Sequence, residues 1–152
     1  MAISIEDVSL EFLERLYEIE KECFRKEAFT KQQIAKLLMS PNSVGLVAKV
    51  NGEIIGFIIG ALHYDNDQLV GHILTIDISE KYRRKGIGVK LLQEMEKIFA
   101  GKGVAKCRLE VREDNIAAIK LYSKLGYKKA GMLPYYYKDK HGILFEKNLQ
   151  AC

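Results

Sequence analysis

Tyr82-Arg83-Arg84-Lys85-Gly86-Ile87-Gly88-Val89 lies between a β-rich segment, Leu69 to Ser79, and an amphipathic helix pattern that opens near Gly86. A strand, a basic glycine-bearing turn and a helix N-terminus form a cradle for pyrophosphate. Backbone N–H groups and the positive end of the helix dipole point at one anion. Gly86 and Gly88 put no Cβ in the way of a close backbone approach. Arg83, Arg84 and Lys85 add charge nearby, but most of the binding is expected from backbone N–H groups. The spacing Arg83-x-x-Gly86-x-Gly88 is not the dinucleotide pattern G-x-G-x-x-G. It is not a P-loop either, because no Lys-Ser or Lys-Thr follows the second glycine.

The rest of the chain is consistent with one domain, residues 1–152, long enough to bury a core. With 48% hydrophobic and 29% charged residues it has a globular composition. No apolar run approaches the ~20 residues of a membrane span, and Met1-Ala2-Ile3-Ser4-Ile5-Glu6 is not a signal-peptide core, so a cytoplasmic protein without membrane attachment is expected. Cys23, Cys107 and Cys152 contain no C-x-x-C pair; neither a metal nor a disulfide framework is expected. Cys107 sits in a strand pattern as a small buried residue. A net charge of +4 suits a polyanionic small molecule and is too diffuse to argue for nucleic acid.

Periodicity and punctuation predict the elements. Ala2 to Asp7 is a strand and Leu10 to Phe24 a helix. Thr30-Lys31-Gln32-Gln33 is a capping box opening a helix through Met39. Val44 to Val50 and Glu53 to His63 form a hairpin around Asn51-Gly52 in a type I′ turn. Leu69 to Ser79 is a strand, Gly88 to Gly101 a helix, Val104 to Val111 a strand and Asn115 to Leu125 a helix. Tyr127 to Leu133 and Ile143 to Leu149 close the chain, with Pro41 and Pro134 at element boundaries. This order is α/β with a mixed central sheet.

A second stretch stands about 25 residues beyond the glycine turn: Leu109-Glu110-Val111-Arg112, then Asn115-Ile116-Ala117-Ala118-Ile119-Lys120-Leu121-Tyr122, closing on Leu125-Gly126-Tyr127. Asn115 and Tyr122 are two helical turns apart and share a face; Gly126 is placed to end the helix in left-handed geometry. The two stretches together resemble the two signatures of the GCN5-related N-acetyltransferases (GNAT). The likeness runs from about Ile3 to Leu149 and is nearest to the RimI and archaeal Ard1 type of protein N-terminal acetyltransferase. The resemblance implies a mixed central sheet whose two central strands splay apart, flanked by helices on both faces. It also implies acetyl-CoA as co-substrate and no metal.

Site residues follow from the same resemblance. The strand His72 to Ile78 would lend backbone groups of Ile76, Asp77 and Ile78 to the pantetheine arm, in the manner of strand addition. The Ile76 N–H is placed to polarise the thioester carbonyl. Arg83, Arg84, Lys85, Gly86, Ile87, Gly88 and Val89 would hold the diphosphate, with Asn115 and Tyr122 completing the cofactor contacts. Tyr122 matches the family's acid: a phenol near ~10 can donate to a thiolate near ~8.5. An α-amino group near ~8 arrives partly as ammonium, so a base is needed. His72 and Glu110 both match base positions, and the sequence leaves open which one serves.

The acceptor side is less defined. Pro134-Tyr135-Tyr136-Tyr137 resembles the Tyr-Tyr pair that holds a peptide in the N-terminal type. The first loop, Phe24-Arg25-Lys26-Glu27-Ala28-Phe29, lacks the proline and tryptophan of many relatives. Glu27 could accept a polar or cationic group, and Phe24 or Phe29 could wall an apolar pocket. The favoured acceptor is therefore a protein or peptide N-terminus. The alternatives are a small amine, such as a polyamine, an amino acid or an aminoglycoside, and a non-catalytic acyl-CoA-binding module.

Overall fold

The computed structural model describes residues 2–149. Seven strands are hydrogen-bonded in the order β1-β2-β3-β4-β5-β7-β6. They are β1 (Ile3–Asp7), β2 (Ser43–Val50), β3 (Glu53–Asp65), β4 (Gln68–Ile78), β5 (Lys106–Arg112), β6 (Lys128–Leu133) and β7 (Gly142–Asn148). The helices are α1 (Leu13–Phe24), α2 (Lys31–Met39), α3 (Ile87–Gly101) and α4 (Ile116–Lys124). The chain divides into two compact units, Met1–Leu62 with Ile73–Ile98 and His63–His72 with Phe99–Cys152.

The first unit contains the hairpin that the sequence predicts. Asn51 and Gly52 have φ of 51° and 78°, the two left-handed residues a type I′ turn requires. Strand β2 pairs antiparallel with β1 and with β3. The helix expected from Leu10 begins as one 3-10 turn, Leu10–Phe12, and becomes α-helical at Leu13. Ser9 caps that turn by accepting the Glu11 N–H at 3.3 Å. The Thr30 capping box forms as read: its hydroxyl accepts from Gln33 N and the Gln33 side chain accepts from Thr30 N. Leu16, Ile19 and Ile34 come from the apolar stripes of α1 and α2 and pack with Val47, Ile54, Phe57 and Ile59 of the sheet. Each such side chain stabilises the fold by roughly 1.5–3 kcal/mol.

In the second unit a turn absent from the sequence reading joins β3 to β4. Asn66 and Asp67 both lie in the left-handed region, with φ of 49° and 67°; Asn and Asp tolerate that region better than other non-glycine residues. Strand β4 runs parallel to β5 through Val70–Lys106, Gly71–Cys107 and His72–Arg108. Gly71 is where a side chain would strike the Phe99 ring, at 2.4 Å. Strand β5 alternates: Cys107, Leu109 and Val111 are buried, while Lys106, Arg108, Glu110 and Arg112 are half-buried. Strand β7 pairs antiparallel with both β5 and β6.

Candidate active site

The predicted cradle lies in the first unit. Gly86 has φ of 80°, and α3 starts at the next residue. Lys90 N–H bonds the Gly86 carbonyl at 3.1 Å. The N–H groups of Ile87, Gly88 and Val89 precede it in the first turn and have no intrahelical acceptor. No described atom lies within 4 Å of where a Gly86 Cβ would stand. A Cβ at Gly88 would rest 3.8 Å from Ile78 and 3.9 Å from Ile76. The side chains of Ile76 and Ile78 therefore lie under the start of α3, and Asp77 between them faces the other way.

Among the three basic residues of the turn, Arg83 points back into the unit. Its Nε donates to the Ile78 carbonyl at 3.0 Å and its Nη2 meets Cys23 Sγ at 3.4 Å. It braces the turn against β4 and the end of α1. Arg84 and Lys85 are exposed, and Arg84 has φ of 62°. Burial, with the nearby Asp77 carboxyl, pushes the Cys23 thiol up to about 11, so it is not a thiolate at neutral pH.

Asp77 itself has its side chain in the core. Its carboxyl lies beside the Glu20 carboxyl and the Thr75 hydroxyl, whose Oγ1 bonds both Asp77 and Glu20. Burial and the adjoining Glu20 carboxyl raise Asp77 well above the ordinary carboxylate range. Asp77 Oδ2 is buried with no hydrogen-bond partner among the described residues, a setting that favours the uncharged acid. Glu20 also accepts the Phe29 N–H at 3.0 Å. The side chain of Phe29 packs against the α1–α2 core rather than standing out as a pocket wall. Phe24 and Glu27 are exposed. Glu20 sits in a helical stripe among apolar residues, and no spacing pairs it with Asp77.

The second unit holds the candidate acid and base residues. His72 Nε2 stands 2.8 Å and 2.7 Å from the two Glu110 oxygens. The Tyr136 hydroxyl also bonds Glu110; burial first, then the carboxylate's charge and that bond, raise the phenol. A carboxylate at Glu110 has lone pairs enough to accept from both neighbours. The sequence offers Tyr136 as a peptide anchor and His72 as a rival base; the structure brings both onto one carboxylate. Gly142 makes this possible, since a Cβ there would stand 3.0 Å from Tyr136 Cβ and 3.3 Å from its Cγ.

The loop carrying Tyr136 is pinned from two sides. Tyr135 has φ of 50°, and its N–H donates to His141 Nδ1 at 2.9 Å. His141 N–H donates to Glu113 at 2.6 Å, while Glu113 N–H returns a bond to the His141 carbonyl at 3.1 Å. His141 was invisible as a site residue, because its part is to shape the backbone under Tyr135.

Tyr122 projects from α4 against Tyr127, ring centroids 5.9 Å apart at 71°. Burial pushes its phenol up to about 12, which keeps it protonated and able to donate. The helix ends as predicted, with Gly126 at φ 99°, Gly126 N bonded to the Ser123 carbonyl and Tyr127 N to that of Tyr122. Asn115 is the N-cap, its side chain accepting from Ala118 N at 3.1 Å. Among the described residues no group of three or more His, Cys, Asp or Glu could hold a metal ion. No helix among them is long and apolar enough to cross a membrane.

The chain thus sets a glycine turn opening a helix, and a strand glutamate followed by a helix tyrosine, on a mixed seven-stranded sheet. Comparison with known proteins gives its family. The model of the acetyltransferase (GNAT) family matches residues 13–127, and the chain belongs to that family of acetyl-CoA-dependent enzymes. An uncharacterized N-acetyltransferase of Methanocaldococcus jannaschii is 33% identical over 130 residues, covering 84% of this chain and 79% of that protein. An N-alpha-acetyltransferase of Sulfurisphaera tokodaii is 38% identical over 105 residues, 61% of each chain. Among solved structures, Ard1 of Thermoplasma volcanium superposes with a TM-score of 0.88 at 28% identity, covering 99% of this chain and all of that one. The PaiA N-acetyltransferase of Thermoplasma acidophilum, solved with coenzyme A, gives 0.83 at 26% identity, covering 97% and 99%. The ribosomal-protein-S18-alanine N-acetyltransferase of Escherichia coli shares the fold, with a TM-score of 0.89 at 24% identity over 99% and 96%.

Proposed function

We propose that the chain acetylates the N-terminal α-amino group of polypeptides. The observation that carries this reading is the Glu110 carboxyl hydrogen-bonded to both His72 and Tyr136. A carboxylate so oriented can take the proton that an ammonium group must lose, directly or through one water. His72, donating through Nε2, fixes Glu110 and stabilises its charge, which ranks Glu110 as the base and His72 as its partner. Tyr122, kept protonated by burial, donates to the thiolate that leaves.

Acetyl-CoA supplies the activated acyl group as a thioester. Its diphosphate fits the first turn of α3, where the N–H groups of Ile87, Gly88 and Val89 and the open space over Gly86 leave room for an anion. Arg84 and Lys85 add surface charge, and Arg83 acts by holding the turn. Backbone groups of Ile76, Asp77 and Ile78 would bond the pantetheine amides, with the Ile76 N–H polarising the carbonyl. Asn115 would contribute to cofactor binding mainly by fixing the start of α4. Tyr135 and Tyr136 would meet the acceptor; of the first-loop candidates, Phe24 and Glu27 are exposed and available to a ligand, and Phe29 is not. The family match runs through residues of both units, which supports reading residues 1–152 as one domain.

The test is thiol release from acetyl-CoA with peptides that differ at their first two residues, beside spermidine and free lysine. Peptide turnover that depends on those residues supports the reading. Turnover of spermidine or lysine alone overturns it in favour of a small-amine enzyme, and no release with any acceptor points to an acyl-CoA-binding module.

A further inference from the structure

The formal charge of +4 is not spread evenly over the chain. Residues 63–72 and 99–152 carry eleven Lys and Arg against seven Asp and Glu, so the whole excess belongs to the second unit. Within that unit a groove of about 430 Å³ is lined by Lys106, Lys128, Lys129 and Lys147, together with Glu146 and Asn148. Glu146 is already neutralised, bonded to Arg108 and 4.0 Å from Lys106. Neither Lys128 nor Lys129 has an ion-pair partner among the described residues. No aromatic face lines the groove to stack a base, which favours a polypeptide over a single-stranded nucleic acid.

The register ties part of this groove to the candidate base. Lys106 lies opposite Asn148, and Arg108 and Lys128 opposite Glu146, so these residues share one sheet face; Lys129, opposite Phe145, and Lys147, opposite Cys107, bound the groove from the other. Glu110 is on the same face of β5 as Lys106, four residues away, or roughly 13 Å. An extended chain covers that distance in about four residues.

We propose that this groove binds an acidic segment of the acceptor polypeptide, starting about five residues from the amine that is acetylated. The proposal rests on the N-terminal reading for the word acceptor, and on the lysines alone for the charge. It makes the enzyme selective for proteins with Asp or Glu beyond their first few residues, through electrostatic attraction that salt weakens.

Two measurements test it. The first is fluorescence anisotropy of a labelled, N-terminally blocked peptide rich in Glu, titrated with wild type, with Lys128→Glu/Lys129→Glu and with the milder Lys128→Gln/Lys129→Gln. Binding that weakens with salt, about 10-fold weaker in the first variant and intermediate in the second, is the expected result. The second is KM for free-amine twelve-residue peptides carrying Glu or Ser at positions 5 to 8. KM is expected to be about 10-fold lower for the Glu peptide at equal kcat, and the charge-reversed variant should level the two. A four-residue peptide should be unaffected.

Equal affinity for acidic and neutral peptides overturns the inference and leaves N-terminal acetylation standing. Turnover of small amines only, with no peptide acetylated, overturns the functional reading, while anisotropy still reports whether the groove takes acidic chain. A homopolymeric RNA that binds more tightly and is not displaced by the peptide reassigns the groove to nucleic acid. Aggregation of both variants with unchanged selectivity in the soluble fraction shows that the lysines only guard an edge strand.

Discussion

The glycine turn of the first unit and the Glu110 cluster of the second use different parts of the chain. In the turn the useful groups are backbone N–H donors, and side chains matter by being absent, as at Gly86, or by bracing, as Arg83 does. In the cluster the useful groups are side chains, and the backbone matters by bringing β4, β5 and the loop before β7 to one carboxylate. A backbone site should tolerate loss of its charges and fail when its conformation is denied. A side-chain site should fail at one atom while its fold is unchanged.

The largest effect is therefore expected at Glu110. Glu110→Gln keeps the shape, removes the charge that His72 and Tyr136 both address, and should lower kcat/KM by about 10² on a reactive peptide. Stopped assays across pH, with the melting temperature recorded in parallel, check it. A variant with wild-type turnover would move the base to His72 or leave the amine to arrive neutral. Tyr122→Phe should lower kcat by about as much, with acetyl-CoA affinity nearly unchanged, because its hydroxyl acts on the leaving thiolate. Equal losses in affinity and in kcat would instead make Tyr122 a cofactor contact.

The same division explains what could be read in advance. The glycine turn was legible as spacing, because a backbone site needs particular residues at consecutive positions, and the structure places φ of 80° at Gly86. Local rules likewise gave the Thr30 capping box, the Asn51-Gly52 turn and the Gly126 helix end. Glu110 and Tyr122 were legible through the family signature. The bond from Tyr136 to Glu110 was not, since it depends on β5–β7 register and on the missing side chain at Gly142. Nor was the Glu20–Asp77 pair, whose members are 57 positions apart in the sequence and meet only when α1 lies against β4. Asn115 and Phe29 show a further limit: the resemblance offered Asn115 as a cofactor contact and Phe29 was a candidate pocket wall, while the structure gives Asn115 a capping bond and packs Phe29 against the core.

At the turn, Gly86→Val forces a β-branched residue into a left-handed conformation and fills the open space above it. Acetyl-CoA affinity measured by calorimetry should weaken about 10-fold, a loss on the scale of one charge-assisted contact. Unchanged affinity would remove the cradle from the site.

Asp77 sharpens the contrast through stability rather than rate. Its folded-state carboxyl titrates above the ordinary value of 3.8, so the folded chain keeps a proton that the unfolded chain has released. Stability must then fall as pH rises from about that value through the folded one. Asp77→Asn keeps a donor toward Glu20 without the charge. It should flatten this slope and raise stability at pH 8 by roughly 1 kcal/mol, a melting-temperature gain of a few degrees. A slope unchanged in the variant would show that Asp77 is not the group that holds the proton.

The smallest effect is expected at Arg84, and it is the sharper test of the backbone reading. Arg84 is exposed and itself left-handed, with φ of 62°. Arg84→Gly removes the guanidinium while giving the turn the residue best suited to that conformation. An exposed charge near a phosphate is screened by solvent and salt, so acetyl-CoA affinity should fall by no more than about threefold, and less at high salt. The measurement is the same calorimetric titration at two ionic strengths. If affinity instead collapsed by more than 10-fold, the cradle would be a side-chain site like the Glu110 cluster, and the two units would not differ in kind.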